Sequence, residues 1–255
     1  MIPVRIDSQE RANNLSHVIK FILSNFQTSI YVYEDDSISK VPSQLDKTIF
    51  DQCHYRFVKN DQSKLGFNKA RLLNSMAVEC QSKIIASLDS DCFIEDLSFY
   101  EKSIESIRNG EFDVVHPHSQ CVRYDVSSVK FFVDGNIKFL RRTGMTANNS
   151  GGFLFISFES LLKMGMWNEN FNSWGGEDTE FYCRAERFGL NKNRLNGTLI
   201  HLNHPKNKGS GFYAKPREEN IPKLQRSRTL TPNDLKKEVE GWPWVIEAKK
   251  EVYGF

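Results

Sequence analysis

Lys83-Ile84-Ile85-Ala86-Ser87-Leu88-Asp89-Ser90-Asp91 is the stretch that decides the fold. Ile84 to Leu88 is a short, mostly apolar run of the kind a strand buried on both faces requires. It stops on two carboxylates one residue apart. Ligands of open parallel sheets bind beyond the carboxyl ends of strands. The stretch therefore predicts a central strand and a site at its end.

The flanking segments fit that strand. Upstream, a helix is expected from about Gly66 to Glu79, with Ala70, Leu73, Ala77 and Cys80 on one stripe. Before it come a strand over His54–Val58 and a strand over Ile30–Tyr33 that runs into Glu34-Asp35-Asp36-Ser37. Between these two strands, Ser37 to Lys47 reads as loop. Leu15, Val18, Ile19, Ile22, Leu23 and Phe26 predict a first helix, and Ile2 to Ile6 a first strand. Downstream, Leu97, Tyr100, Ile104 and Ile107 mark a helix stopped by Asn109-Gly110, and Val114-Val115 opens another strand. Residues 1–116 thus alternate strand and helix, which predicts an α/β fold with a parallel sheet and crossover helices.

The second half is less regular. Residues 117–150 read as polar and irregular, apart from an apolar patch over Val129–Val133. Gly151-Gly152 opens a strand to Ile156, and a short helix follows over Phe158–Met164. A helix starting near Glu177 turns Phe181, Ala185 and Phe188 inward, and Thr198–Leu202 forms a last strand. Residues 203–228 are basic and read as loop. Thr231-Pro232 with Asp234 has the form of a helix start.

The chain has 255 residues, with 34 Lys+Arg against 32 Asp+Glu and a formal net charge of +2. That balance excludes a dominantly polycationic nucleic-acid binder and an acidic disordered chain. No run of 18 apolar residues is present, so no membrane-spanning helix is expected. The opening Met-Ile-Pro-Val-Arg-Ile-Asp lacks a basic region followed by an apolar stretch, so no signal peptide is expected. Five widely spaced cysteines without a C-x-x-C pair read as reduced thiols of a cytoplasmic protein.

Five groups of residues can carry chemistry. Asp89 and Asp91 can hold a hard divalent cation, and such an ion can neutralise a diphosphate; a solvated turn is the plainer account. In Trp174-Gly175-Gly176-Glu177-Asp178, two glycines admit close backbone approach. Two acids then sit at a helix N-terminus, where the dipole favours their ionised form. One of them can accept a proton, and helix capping is the alternative. His201 and His204 follow a strand, and continued alternation would put them on opposite faces, leaving at most one as an easy metal ligand. Glu34-Asp35-Asp36 can read a base or ribose or simply open a loop. Lys69 and Arg71 can meet a phosphate at a helix start or form an ordinary basic first turn.

Together these pieces resemble a GT-A fold glycosyltransferase of the family 2 type, over roughly residues 1–205. The resemblance runs through Ile2-Pro3-Val4-Arg5, Glu34-Asp35-Asp36-Ser37, Asn68-Lys69-Ala70-Arg71, Asp89-Ser90-Asp91 and Asn149-Ser150-Gly151-Gly152. It ends in Gly165-x-Trp167-Asn168-Glu169-x-Phe171 and Trp174-Gly175-Gly176-Glu177-Asp178-x-Glu180-Phe181. That last stretch is similar to the acceptor-side segment of chondroitin-polymerase-like enzymes and β-1,4-galactosyltransferases.

The resemblance implies a Rossmann-like, mixed and mainly parallel sheet, with a C-terminal helical extension. It implies one catalytic domain over 1–205, divided into a nucleotide-sugar half (1–116) and an acceptor half (117–205), with 206–255 as a basic loop and extension of the same domain. It also implies an inverting transfer from a nucleotide-sugar, a UDP-sugar by preference, to an acceptor hydroxyl. Asp89 and Asp91, with His201 or His204, would hold Mn²⁺ or Mg²⁺. Asp35 or Asp36 would read the nucleoside, and Arg5, Lys69, Arg71 and Ser90 fall on the donor side. Gly151 and Gly152 would pass beneath the donor sugar. Asp178 would be the base, Glu177 would hold acceptor hydroxyls beside Gly175 and Gly176, and Trp174 would stack on sugar. The basic segment Lys206 to Arg228 admits a mobile loop over donor phosphates or an anionic acceptor, nucleic acid included. A non-catalytic sugar-binding module and a nucleotidyltransferase are the competing readings. The first leaves the paired acids unexplained, and the second lacks a Gly-rich phosphate loop.

Overall fold

The computed structural model describes residues 1–60, 66–129, 137–173, 175–205 and 214–254. The first half runs β1 (Ile2–Val4), α1 (Gln9–Asn25), β2 (Ile30–Asp36), α2 (Val41–Gln44), α3 (Lys47–Phe50), β3 (Cys53–Lys59), α4 (Lys69–Cys80), β4 (Ile84–Leu88), β5 (Cys92–Phe93) and α5 (Ser98–Arg108). The second half runs β6 (Val114–Tyr124), α6 (Val126–Val129), β7 (Arg142–Ala147), β8 (Phe153–Ser157), α7 (Phe158–Lys163), α8 (Glu177–Arg187), β9 (Lys192–Leu202), α9 (Ala214–Thr229), α10 (Pro232–Glu240) and α11 (Pro243–Tyr253).

β1, β2 and β3 pair in parallel. Met1 N donates to Ala86 O at 2.7 Å and Leu88 N donates to Met1 O at 3.0 Å, which sets β1 beside β4 in the parallel pattern. From β4 the order continues β8, β6, β9, β5, with β7 on the far part of β6. β8 is antiparallel to both β4 and β6, while β6 and β9 are parallel. Hence β1, β2, β3, β4, β6 and β9 point one way, and β5, β7 and β8 point back. This is the mixed, mainly parallel sheet expected. Its consequence is positional: the ends of β1, β2, β4, β6 and β9 and the start of β8 share one edge.

Period-2 alternation assigns the two faces. Phe153 and Phe155 pack with Leu15, Val18 and Ile19 of α1 and Tyr100 and Ile107 of α5. Leu154 and Ile156 pack with Leu72, Leu73 and Met76 of α4, Leu161 of α7 and Phe181 and Ala185 of α8. Each fully buried aliphatic side chain here is worth about 2 kcal/mol. Helix starts are fixed locally: Ser8 accepts from Arg11 N, Asn68 from Arg71 N and Thr231 from Asp234 N.

Several segments differ from the sequence expectation. Ser37–Lys47 is not all loop, since α2 and the start of α3 form there. Residues 117–150 contain the end of β6 and all of β7. β7 is polar and mostly exposed, so it carries no apolar alternation to read. The last strand begins at Lys192 rather than Thr198. The basic stretch expected as loop holds α9, whose Pro222 and high charge mask its period. Most of the apolar patch at 129–133 lies outside the described residues. Among the described residues, no helix is long and apolar enough to cross a membrane.

Candidate functional site

The strand ends open onto a cleft of about 630 Å³ lined by residues of β1, α4, the 89–91 turn, β6, α8 and β9. Arg5, Lys69, Asp89, Ser90, Asp91, Glu177, Asp178, His201 and His204 all face it. A second cavity of about 410 Å³ shares Glu177 and Asp178 with the first. It is bounded by Asn149 to Gly151, by Gly175 and Gly176, and by Asn220, Ile221, Leu224 and Arg228 on α9.

The metal-type corner forms where β9 ends. Leu202 N donates to Asp91 O at 2.8 Å, and the buried Asn14 of α1 donates to Leu202 O at 2.8 Å. The strand stops there, so alternation does not carry on to His204. Both rings therefore turn to one carboxylate: His204 Nε2 lies 3.3 Å and His201 Nε2 3.8 Å from Asp91 Oδ2. The expectation that only one histidine is well placed is corrected by this chain end. Burial alone would raise the Asp91 carboxyl, but His201 and His204 hold it well below the usual carboxylate range. Ligand atoms of Asp91, His201 and His204 lie within 4.8 Å of one another, as do those of Asp89, Asp91 and Cys92. Burial pushes the Cys92 thiol well above its ordinary value, so it stays protonated and is the poorer donor. One ionised carboxylate and two imidazoles facing an open cleft suit a divalent cation.

The second corner forms at the start of α8. Gly175 and Gly176 both take positive φ, which a side chain disfavours, and Gly176 caps the helix. Glu177 Oε2 accepts from Gly175 N at 2.9 Å. Lys69 Nζ reaches 2.8 Å from Asp89 Oδ1 and 3.2 Å from Asp178 Oδ1, joining the two corners. Burial opposes the Lys69 charge, but Asp178, Asp89 and Glu177 outweigh it and hold its pKa well above the ordinary value. Burial, with Asp178 adding to it, pushes Glu177 up to about 7. Asp178 is raised chiefly by burial and is opposed by Lys69. A Cβ at Gly151 would lie 2.2 Å from Asp178 Oδ2, so a side chain there would have to displace that carboxylate. Gly152, at φ +93°, accepts from Asp89 N at 2.9 Å, tying the glycine pair to both acids.

α8 is itself clamped. Arg184 Nε and Nη2 donate to Glu180 Oε1 and Oε2 at 2.7 and 3.1 Å, with both side chains fully buried. Ser227 of α9 donates to Glu180 Oε1 at 2.8 Å, and Trp242 stacks over Arg184 at 5.1 Å. The C-terminal helices thus hold the helix that presents Glu177 and Asp178.

Other expected residues lie elsewhere. Asp35 is fully buried, meets the Arg5 guanidinium at 3.5 Å and accepts from Asn68 N at 3.1 Å. Asp36 accepts from Ser37 N at 2.7 Å and pairs with Lys40 at 2.8 Å. Neither lines the cleft, and neither does Arg71. These acids at a strand end are used to fasten β2 to its neighbours. Trp174 lies outside the described residues, as do 206–213. The cleft adds residues the sequence reading passed over: Arg11, which pairs with Asp7 at 2.8 Å, Phe67 beneath Arg5, Arg123 and Asn203. Arg11 was legible as the fourth residue after Asp7. Arg123 was hidden by Pro117, which interrupts the reading of the strand that carries it.

Comparison with known proteins places this geometry. Residues 137–208 match the family model of the N-terminal domain of galactosyltransferase. Over 121 residues the chain is 30% identical to hyaluronan synthase of Pasteurella multocida, covering 48% of this chain and 10% of that protein. The chain thus spans about a tenth of the length of the curated relative it matches. A mannosyltransferase from Pyrobaculum calidifontis, solved with GDP-Man and Mn²⁺, superposes with a TM-score of 0.55 at 14% identity, over 99% of this chain and 73% of that one. Glucosyl-3-phosphoglycerate synthase from Mycobacterium tuberculosis, solved with Mn²⁺, UDP and glucosyl-3-phosphoglycerate, gives 0.55 at 15% identity, over 89% and 80%. The fold is therefore that of the GT-A glycosyltransferases, as the sequence motifs led us to expect. In sequence and in fold alike, these likenesses are to glycosyltransferases. None of them supports a nucleic-acid acceptor.

Proposed function

We propose that this protein is a metal-dependent, inverting glycosyltransferase that moves a sugar from a UDP-sugar to a hydroxyl of a carbohydrate acceptor. One observation carries the reading. A cation-binding triad and an acid pair on a helix N-terminus face a single cleft, joined by Lys69. Residues 1–205 would form the catalytic unit, with the C-terminal helices as its extension.

Asp91, His201 and His204 would hold the ion, with Asp89 beside them on Lys69. Two imidazoles favour Mn²⁺ over Mg²⁺, which prefers oxygen ligands alone. A divalent ion there supplies positive charge to the departing diphosphate oxygens. The nucleoside would lie toward Arg5 and Phe67, and the donor sugar over Gly151 and Gly152, with Ser90 at its edge. The acceptor would enter from the second cavity, which shares Glu177 and Asp178 with the first. Asp178 takes the proton of the attacking hydroxyl. The new C–O bond forms at the anomeric carbon as the bond to the diphosphate breaks on the opposite face, so the centre inverts. Lys69 and the α8 N-terminus favour the ionised base against its burial. Glu177, raised to about 7, can donate or accept at acceptor hydroxyls.

The test is a panel of UDP- and GDP-sugars with candidate mono- and disaccharide acceptors, in Mn²⁺ or EDTA, read as nucleoside diphosphate release and product anomericity. The expected result is turnover of one UDP-sugar in Mn²⁺ alone, with an inverted product. Full turnover in EDTA, or a retained anomeric centre, would contradict the reading.

A further inference from the structure

The cations of the cleft can be paired off one by one. Arg5 is matched by Asp35, Arg11 by Asp7, and Lys69 by Asp89 and Asp178. Arg123 is the exception. It lines the same cleft near the carboxyl end of β6, half-buried, directly across the parallel ladder from His201. Among the described residues it has no ion-pair partner. His201 also pairs with Cys92 of β5, so Arg123 stands across β9 from the strand that follows Asp91.

The charge of the proposed donor asks for such a group. This argument rests on the glycosyltransferase reading above. A nucleotide-sugar diphosphate carries two negative charges, and a third develops as the glycosidic bond breaks. A divalent ion on Asp91 keeps a net charge of one, because the carboxylate cancels the other. The Lys69 charge is already spent on two acids. One further cation is required beside the metal, and it must meet the phosphate on which charge builds. A guanidinium anchored on a strand is preorganised for two parallel hydrogen bonds to phosphate oxygens.

We infer that Arg123 is a donor-binding residue that grips the distal phosphate of the nucleoside diphosphate from the His201 side of the metal corner. The inference is specific in one respect: it concerns the second phosphate and not the nucleoside. Its test is calorimetric titration of UDP and of UMP in Mn²⁺ into the wild type, Arg123→Ala, Arg123→Gln and Arg123→Lys, with Mn²⁺ alone as a further titrant. Loss of a charged hydrogen-bonding partner should weaken UDP by roughly 10- to 100-fold in Arg123→Ala, and UMP by less than about 3-fold. Arg123→Lys should fall between, and Mn²⁺ alone should bind all four proteins alike. If the alanine variant does not fold, the glutamine variant carries the same comparison. Equal losses for UDP and UMP, or unchanged UDP affinity, would overturn the role of Arg123 while leaving the enzyme reading intact. A wild type that binds neither nucleotide would remove that reading and the inference with it.

Discussion

Two acid pairs face one cleft in this molecule, and their surroundings make them different groups. Asp89 and Asp91 follow a central strand and sit against Lys69 and two histidines, which hold Asp91 well below the ordinary carboxylate range. Glu177 and Asp178 open a helix, are half-buried next to each other, and are pushed up, Glu177 to about 7. The first environment suits permanent charge and so the holding of a cation. The second suits a proton that comes and goes. Neighbours, not residue type, divide binding from proton transfer.

The contrast can be broken at four points. Asp178→Asn should lower kcat by about 10²- to 10⁴-fold, the span of a general base, with UDP affinity nearly intact. Steady-state kinetics beside a UDP titration check this, and near-normal turnover would remove Asp178 as base. Asp91→Ala should weaken UDP binding in Mn²⁺ by on the order of 100-fold. Equilibrium binding with and without EDTA measures it, and the metal dependence should vanish too. Lys69→Met removes the cation that both corners share. Glu177 and Asp178 should then rise further, and the acid limb of the kcat–pH profile should move up by about one unit, since an unmatched like charge disfavours ionisation.

The smallest effect sharpens the sign of the second corner. Folding raises Glu177 from 4.5 to about 7, so the folded state holds that proton longer than the unfolded chain. The group therefore costs stability as pH rises through that window and costs nothing below it. Glu177→Gln should match the wild type in thermal denaturation near the lower limit and exceed it by about 1–2 kcal/mol above the upper one, after allowing for solvent screening. A gain of equal size at both pH values would refute the assignment.

The comparison also explains what could be read in the sequence. Strands buried on both faces announce themselves, as Ile84–Leu88 does, and the glycine pairs at 151–152 and 175–176 mark where backbone must come close to acids. β7 and α9 lack an apolar period because solvent or charge covers most of their surface, so pattern reading passes over them. Position along the chain also cannot say where a strand stops. β9 ends at Leu202, which Asp91 and Asn14 fix from two sides, and this alone brings both histidines to one carboxylate. Asp35 and Asp36 show the converse. An acid at a strand end has the look of a ligand, yet here Arg5, Asn68 and Lys40 consume it. Such tertiary partners are distant in sequence and leave no local mark.

The division of labour is tested most directly by one paired titration of UDP in Mn²⁺ into Asp91→Ala and Asp178→Asn. The account predicts that the first loses metal-dependent binding and the second keeps it, although turnover falls in both. Equal affinity in the two variants, whether both lost or both kept, would contradict the separation of the two corners.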